Sequence, residues 1–262
     1  MVYFCCMSHL SRPLKMKKSL GQHFLKDESV CRQIVDSLKK NPFTQLLEIG
    51  PGSGALTKWL VQIKNIDFKA VEIDREKVAF LKSTYPVLKD RIIEQDFLEM
   101  EKPFEGPFTI LGNFPYNIST EILFKVLGWR SDVQQVTGMF QKEVALRIAS
   151  AEGSKVYGVT SVLLQAFFDV EYLFEVSAQA FNPPPKVQSA VIRLTPRKTP
   201  VTVRTEKMFF LLVKTAFNQR RKTLRNAVKP LFTDEELKDP LFNRRAEQLK
   251  IEEFAALTFR MK

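Results

Sequence analysis

Asn113-Phe114-Pro115-Tyr116 brings together the groups needed to hold an exocyclic amino group on a flat ring. The Asn113 side-chain oxygen and the backbone carbonyl of Pro115 can grip such an amine while it lies under the Tyr116 ring. The tetrapeptide follows the apolar run Phe108-Thr109-Ile110-Leu111 and Gly112, so it reads as the loop leaving the carboxyl end of a buried strand. Asn and Pro are also ordinary loop residues and Tyr an ordinary anchor. The weight of the motif therefore rests on its partners upstream.

The main partner is Leu46-Leu47-Glu48-Ile49-Gly50-Pro51-Gly52-Ser53-Gly54-Ala55-Leu56. A short apolar run ends in a glycine-rich turn, and Leu56, Leu60 and Ile63 then recur at helical spacing. This is the strand, loop and helix of a nucleotide-binding α/β unit, in which glycine lets the backbone approach a ligand and the helix start offers N–H groups. The spacing is G-x-G-x-G, not the G-x-G-x-x-G of dinucleotide sites, and Pro51 stiffens the turn. That departure favours S-adenosylmethionine, which has no pyrophosphate to cradle. A second strand, Phe68-Lys69-Ala70-Val71-Glu72-Ile73-Asp74, places Glu72 where a carboxylate accepts from both ribose hydroxyls, with Asp74 as a helix cap. A third strand, Arg91 to Gln95, delivers Asp96 to the adenine amine of the cofactor, with Phe97 as an apolar wall.

These elements require a mainly parallel sheet with helices on both faces, a Rossmann-like α/β domain. The expected helices run from Glu28 to Lys40, around Val144 and Ile148, and from Val159 to Phe168. Two closing strands, Val170–Val176 and Ser189–Leu194, are expected as a hairpin-like edge. Thr195-Pro196-Arg197-Lys198-Thr199-Pro200 reads as a linker, and the pattern beyond it, from Phe209 to Phe259, is helical. The division is a basic N-terminal tail at 1–18, a methyltransferase domain at 19–198 and a small all-helical domain at 199–262. Residues 1–185 hold 22 Lys and Arg against 21 Asp and Glu, and residues 186–262 hold 18 against 8, so almost all of the net +11 lies in the last third. Such asymmetry calls for a polyanionic partner, here nucleic acid. No apolar run reaches the roughly 18 residues of a membrane span. Cys5, Cys6 and Cys31 show neither metal spacing nor a paired framework, which points to a reducing cytoplasm and to no metal. Met1 to Met7 is too short for a signal-peptide core, and the working protein is expected to carry a tail there or to begin near Met16.

With these residues in place, the chain resembles the ribosomal RNA small-subunit adenine dimethyltransferases, the kasugamycin-resistance family. The likeness runs from Lys17 to the C-terminus. Besides the two motifs above it includes Ser19-Leu20-Gly21-Gln22-His23-Phe24-Leu25, Phe181-Asn182-Pro183-Pro184-Pro185-Lys186-Val187-Gln188-Ser189 and Ala216-Phe217-Asn218-Gln219-Arg220-Arg221-Lys222-Thr223-Leu224. The resemblance implies methyl transfer to N6 of two adjacent adenosines in the 3′-terminal hairpin of small-subunit rRNA, within a pre-assembled subunit and by a monomeric enzyme. It departs from the family pattern at His23, where many relatives carry Asn, and at Phe114, where most carry Leu.

The resemblance also implies roles. Asn113 and the Pro115 carbonyl would pull the target amine toward tetrahedral geometry, and Tyr116 and Phe181 would hold the two faces of an unstacked base. Gly50 and Gly52 would meet the methionine portion of the cofactor, Glu72 its ribose and Asp96 its adenine, while His23 and Leu25 close over it and Asn113 borders it. Glu48 would support the loop. Arg220, Arg221, Lys222 and Arg225 would contact rRNA phosphates or pair internally with the sheet domain. Two alternatives stand beside this reading: a resistance-type methyltransferase of large-subunit rRNA, against which the helical segment with Asn218 to Lys222 speaks, and a mainly non-catalytic assembly factor.

Overall fold

Leu46-Leu47 and Ile110-Leu111 are apolar at consecutive positions, as strands covered on both faces must be, and all four side chains are buried. The computed structural model describes residues 24–40 and 42–262. The order of elements begins with β1 (Phe24–Leu25), α1 (Glu28–Asp36), β2 (Gln45–Ile49), α2 (Thr57–Leu60), β3 (Asp67–Glu72), α3 (Arg75–Thr84), β4 (Ile92–Glu94) and β5 (Phe108–Asn113). There follow α4 (Ser119–Gly128), β6 (Val133–Gln141), α5 (Lys142–Ala149), α6 (Val159–Gln165), β7 (Phe168–Val176), β8 (Phe181–Asn182) and β9 (Ser189–Pro196). The helices α7 (Glu206–Asn218), α8 (Leu224–Val228) and α9 (Ile251–Leu257) close the chain.

The main sheet has seven strands in the order β4-β3-β2-β5-β6-β9-β7. The first five are parallel, and β9 runs antiparallel to both of its neighbours. Side chains alternate between two apolar layers: Leu46, Ala70, Leu111 and Met139 face one, and Leu47, Val71, Ile110 and Phe140 the other. Helix α1 is capped by Asp27, which accepts from the Ser29 and Val30 N–H groups, and α3 by Asp74, which accepts from Glu76 N–H. Each cap satisfies donors that the first helical turn leaves open.

The structure redraws several expected elements. Helix α1 stops at Asp36 and continues as a 3-10 turn. Helix α6 ends at Gln165, and Phe168 opens β7 instead. The two closing strands are antiparallel, but β9 is interior, inserted between β6 and β7, and only β7 lies at the edge. Between them the chain leaves the sheet, and β8 pairs with β1 as a separate two-stranded ribbon. Within the helical pattern expected up to Phe259, the stretch between α8 and α9 holds short 3-10 turns joined by irregular chain, and Pro230 and Pro240 sit at the start of two of them, where a missing backbone donor is tolerated. The apolar faces of α7, α8 and α9 are buried in the same cluster as α4 and α6, with the Phe209 and Phe210 rings 6.3 and 6.4 Å from that of Phe167.

Candidate active site

The carboxyl ends of β2, β3 and β5, with the turn after β4, converge on a cavity of about 260 Å³. This is where an open parallel sheet offers a crevice to ligands. Its walls include Leu25, Gly50, Gly52, Glu72, Asp96, Asn113, Pro115, Tyr116 and Phe181. Segments as distant as 25 and 181 thus meet at one cavity. His23 lies outside the described residues.

The loop after β2 turns at Gly50 and Gly52, with φ of 66° and 59°. Both are left-handed positions where a side chain would be strained. Glu72 holds this loop: its Oε2 accepts from Gly52 N–H at 3.1 Å and its Oε1 from Asp74 N–H at 3.0 Å. The carboxylate expected to meet a ribose is therefore a brace for the glycine turn, a coupling no local pattern announces. Asp96 is half-buried, and its Oδ1 accepts from Leu98 N–H at 2.8 Å.

Glu48 is 1% exposed and its Oε2 accepts from the Thr57 hydroxyl at 2.7 Å. Burial pushes its pKa from 4.5 up to about 8; the Thr57 hydrogen bond works against this, and the neighbouring Glu72 charge adds to it. A carboxyl that holds its proton more tightly when folded favours the folded state at low pH. That contribution is lost as pH rises from the ordinary carboxylate range through about 8. Glu48→Gln should therefore gain in melting temperature over wild type between pH 5 and 8, and the gap should level off above that. A gap independent of pH would show that Glu48 is charged throughout.

On the opposite wall, Asn113 ends β5 and Tyr116 is half-buried, its hydroxyl 2.5 Å from Ser189 Oγ. Burial raises the Tyr116 pKa, with the Ser189 hydrogen bond opposing, so the phenol is neutral and hydrogen-bonded. The Pro115 carbonyl accepts from Ile118 N–H at 3.2 Å, which leaves it a second lone pair. Phe181 reaches the cavity but is 1% exposed and packs into the apolar layer. Its strand β8 pairs with β1 in the register Leu25↔Phe181, and Lys26 N–H donates to Ala180 O at 2.8 Å. The residue expected over the cofactor and the residue expected against the base are thus one unit.

Sequence reasoning missed three residues of the site. Ile73 is 53% exposed and apolar at the cavity edge. Lys77 is buried with its Nζ 5.5 Å from the Phe24 ring centroid, and a position one turn after the Asp74 cap was the available signal. Ser189 closes the Phe181–Ser189 motif, but nothing in that motif points to a phenol 73 residues earlier.

Of the four basic candidates, Arg220 donates to the carbonyls of Lys155 and Tyr157, the latter at 3.1 Å, in the loop between α5 and α6. Arg221 and Lys222 are exposed. Arg225 is half-buried, and its Nε has no hydrogen-bond partner among the described residues.

The family model for ribosomal RNA adenine dimethylase matches residues 14–260. A protein of Bacteroides thetaiotaomicron named Ribosomal RNA small subunit methyltransferase A is 53% identical over 250 residues, covering 94% of this chain and 93% of the relative. One of the same name from Flavobacterium johnsoniae is 51% identical over 249 residues, covering 94% and 95%. Among solved structures, a dimethyladenosine transferase from Plasmodium falciparum superposes with a TM-score of 0.74 at 24% identity, over 88% of this chain and 94% of that one. The 23S rRNA methyltransferase ErmE superposes with a TM-score of 0.71 at 23% identity, over 91% and 99%. Both are likenesses of fold.

Proposed function

This chain belongs to the ribosomal RNA adenine dimethylase family, and from that premise we infer how its cavity works. It dimethylates adenine in small-subunit ribosomal RNA. The reading proposed beyond this is that S-adenosylmethionine is the methyl donor and that the targets are N6 of two adjacent adenosines in the 3′-terminal hairpin. The observation that carries it is the meeting of the Asn113–Tyr116 loop and the Glu72-braced glycine turn at one cavity. The site fits the donor: backbone bent at two glycines, a carboxylate for ribose hydroxyls in Glu72, and another for the adenine amine in Asp96. When bound, this donor supplies a methyl group on a sulfonium centre.

The protein's part is positioning and electrostatic stabilisation. Adenine N6 is a poor nucleophile because its lone pair is delocalised into the ring. Asn113 Oδ1 and the free lone pair of the Pro115 carbonyl accept hydrogen bonds from its two N–H groups and localise the lone pair toward the cofactor. Tyr116 stacks on the extruded base, and Ser189 holds the phenol in place. Phe181 flanks the base from the β1–β8 ribbon. No strong base is needed, because the amine becomes acidic only as the new bond forms, and its proton then leaves to water.

The 199–262 segment is proposed as the rRNA-binding part of a monomeric cytoplasmic enzyme that acts on pre-assembled subunits. Arg221 and Lys222 are the exposed phosphate contacts, while Arg220 braces the 155–157 loop. Removing both charges with Arg221→Ala/Lys222→Ala should weaken subunit binding. The dependence of log affinity on log salt should become shallower by roughly 0.7 per charge, and an unchanged slope would place the contact elsewhere. The helical segment does not separate this enzyme from the large-subunit class, since the ErmE likeness spans 91% of the chain. The two relatives above, near half identity and bearing the small-subunit name, favour the small subunit.

The test is incubation with labelled S-adenosylmethionine and small subunits lacking the modification, followed by nucleoside analysis. N6,N6-dimethyladenosine from the 3′-terminal hairpin is the expected product. Label on large-subunit RNA alone would refute the assignment.

A further inference from the structure

Two acceptors must grip one amine, and they belong to the residues on either side of Phe114. Their separation is therefore set by the backbone of Phe114 and by where its ring is seated. That ring is 1% exposed and points away from solvent into the sheet. It lies across Gly112 of β5 and Gly138 of β6, which are paired in the parallel ladder. A Cβ on Gly112 would come within 2.5 Å of the ring's Cε1 edge, and one on Gly138 would collide with its Cε2 edge. The Phe140 ring closes the seat edge-on, with centroids 5.1 Å apart and planes at 73°. The Phe114 N–H donates to Met139 O at 3.3 Å, beside the Asn113↔Met139 pair. Neither glycine has a positive φ, so neither is needed for a turn. Gly112 also leaves room for the Ile49 carbonyl of β2, and both positions supply an absence of side chain under one aromatic ring.

We propose that Phe114 is a positioning residue for methyl transfer, and that Gly112 and Gly138 form the socket that fixes its ring and thereby the spacing of the Asn113 and Pro115 acceptors. This rests on the adenine-amine reading of the loop given above. Interiors are packed closely enough that a ring cannot shift without moving its backbone. Reacting groups misplaced by about 1 Å can lose up to a hundredfold in rate. Phe114→Leu removes roughly the volume that Gly138→Ala adds back, and volume-conserving exchanges are the ones cores tolerate best. The methyl added by Gly138→Ala would also crowd Phe140, 2.8 Å away in the present packing, and the room left by the lost ring relieves that contact.

The experiment measures single-turnover transfer to unmodified small subunits at saturating cofactor, with cofactor affinity by calorimetry and the melting temperature of each variant. Phe114→Leu is expected to slow transfer about tenfold or more, with cofactor affinity and subunit KM changed by less than about threefold. Gly138→Ala alone should slow transfer and lower the melting temperature, and Phe114→Leu/Gly138→Ala should recover most of both. Phe168→Leu, a buried Phe at the opposite end of the sheet, serves as control: it should lower the melting temperature and leave the transfer rate alone. An unchanged rate in Phe114→Leu, an equal loss in Phe168→Leu, or a double variant no better than the worse single one would each overturn the proposal. Wild-type protein that binds cofactor and subunits yet methylates no adenine would instead overturn the reading on which it rests.

Discussion

Asn113→Ala should slow methyl transfer about a thousandfold, some 4 kcal/mol of barrier, while the protein stays folded. The amine donates two protons, and only two acceptors face it in this reading, so the substitution leaves one proton unsatisfied as charge develops on nitrogen. The Pro115 carbonyl cannot compensate, because one of its lone pairs is already used by Ile118 N–H. Stability should change little. Asn113 is half-buried at the end of β5, and its pairing with Met139 runs through the backbone, which alanine keeps. Single-turnover labelling of unmodified subunits measures the rate, and sedimentation with subunits measures association. A loss of less than tenfold would remove Asn113 from the amine site. Inactive protein that still associates with subunits would give the chain a binding role beside its chemistry.

Glu72→Ala should weaken cofactor binding about a hundredfold or more, with subunit binding unaffected. Hydrogen bonds to a charged group contribute about 1.5–3 kcal/mol each. This carboxylate is proposed to accept from the ribose while it also receives Gly52 and Asp74 N–H. The substitution removes a ligand contact and loosens the turn that carries Gly50 and Gly52. Glu72→Gln is expected to fall between, since its amide can still accept from one of those N–H groups but places donors toward the other. Calorimetric titration of each variant decides the matter. Glu72→Gln and Glu72→Ala binding as tightly as wild type would show that the carboxylate serves the loop alone.

Much of the site was legible because its parts are local. A glycine turn after an apolar strand, an acid at the end of the next strand, and Asn-X-Pro-Tyr at the end of β5 are each written within about ten residues, and strand–helix alternation places their ends on one side of a sheet. Asp74 could be read as a cap for the same reason: a cap is a contact between near neighbours in sequence. The interior position of β9, by contrast, is a choice among edges that have the same local pattern. The basic cluster divides in the same way. Arg221 and Lys222 are exposed, whereas the carbonyls that hold Arg220 lie in a loop more than sixty residues earlier. No periodicity reports on such a pair.

The amino-acid sequence by itself thus determined the class of fold, the family and the identity of most residues that line the cavity proposed for a methyl donor and an amine. Backbone restrictions at glycine and proline, and the alternation of apolar positions, act over a few residues and are visible in one dimension. Only the tertiary structure decided that Leu25 pairs with Phe181, that Ser189 holds Tyr116, that Glu72 braces Gly52 and that Phe114 sits across Gly112 and Gly138. Each of these joins residues from separate strands or loops, and their meeting depends on strand order and register, which close packing of the whole core selects.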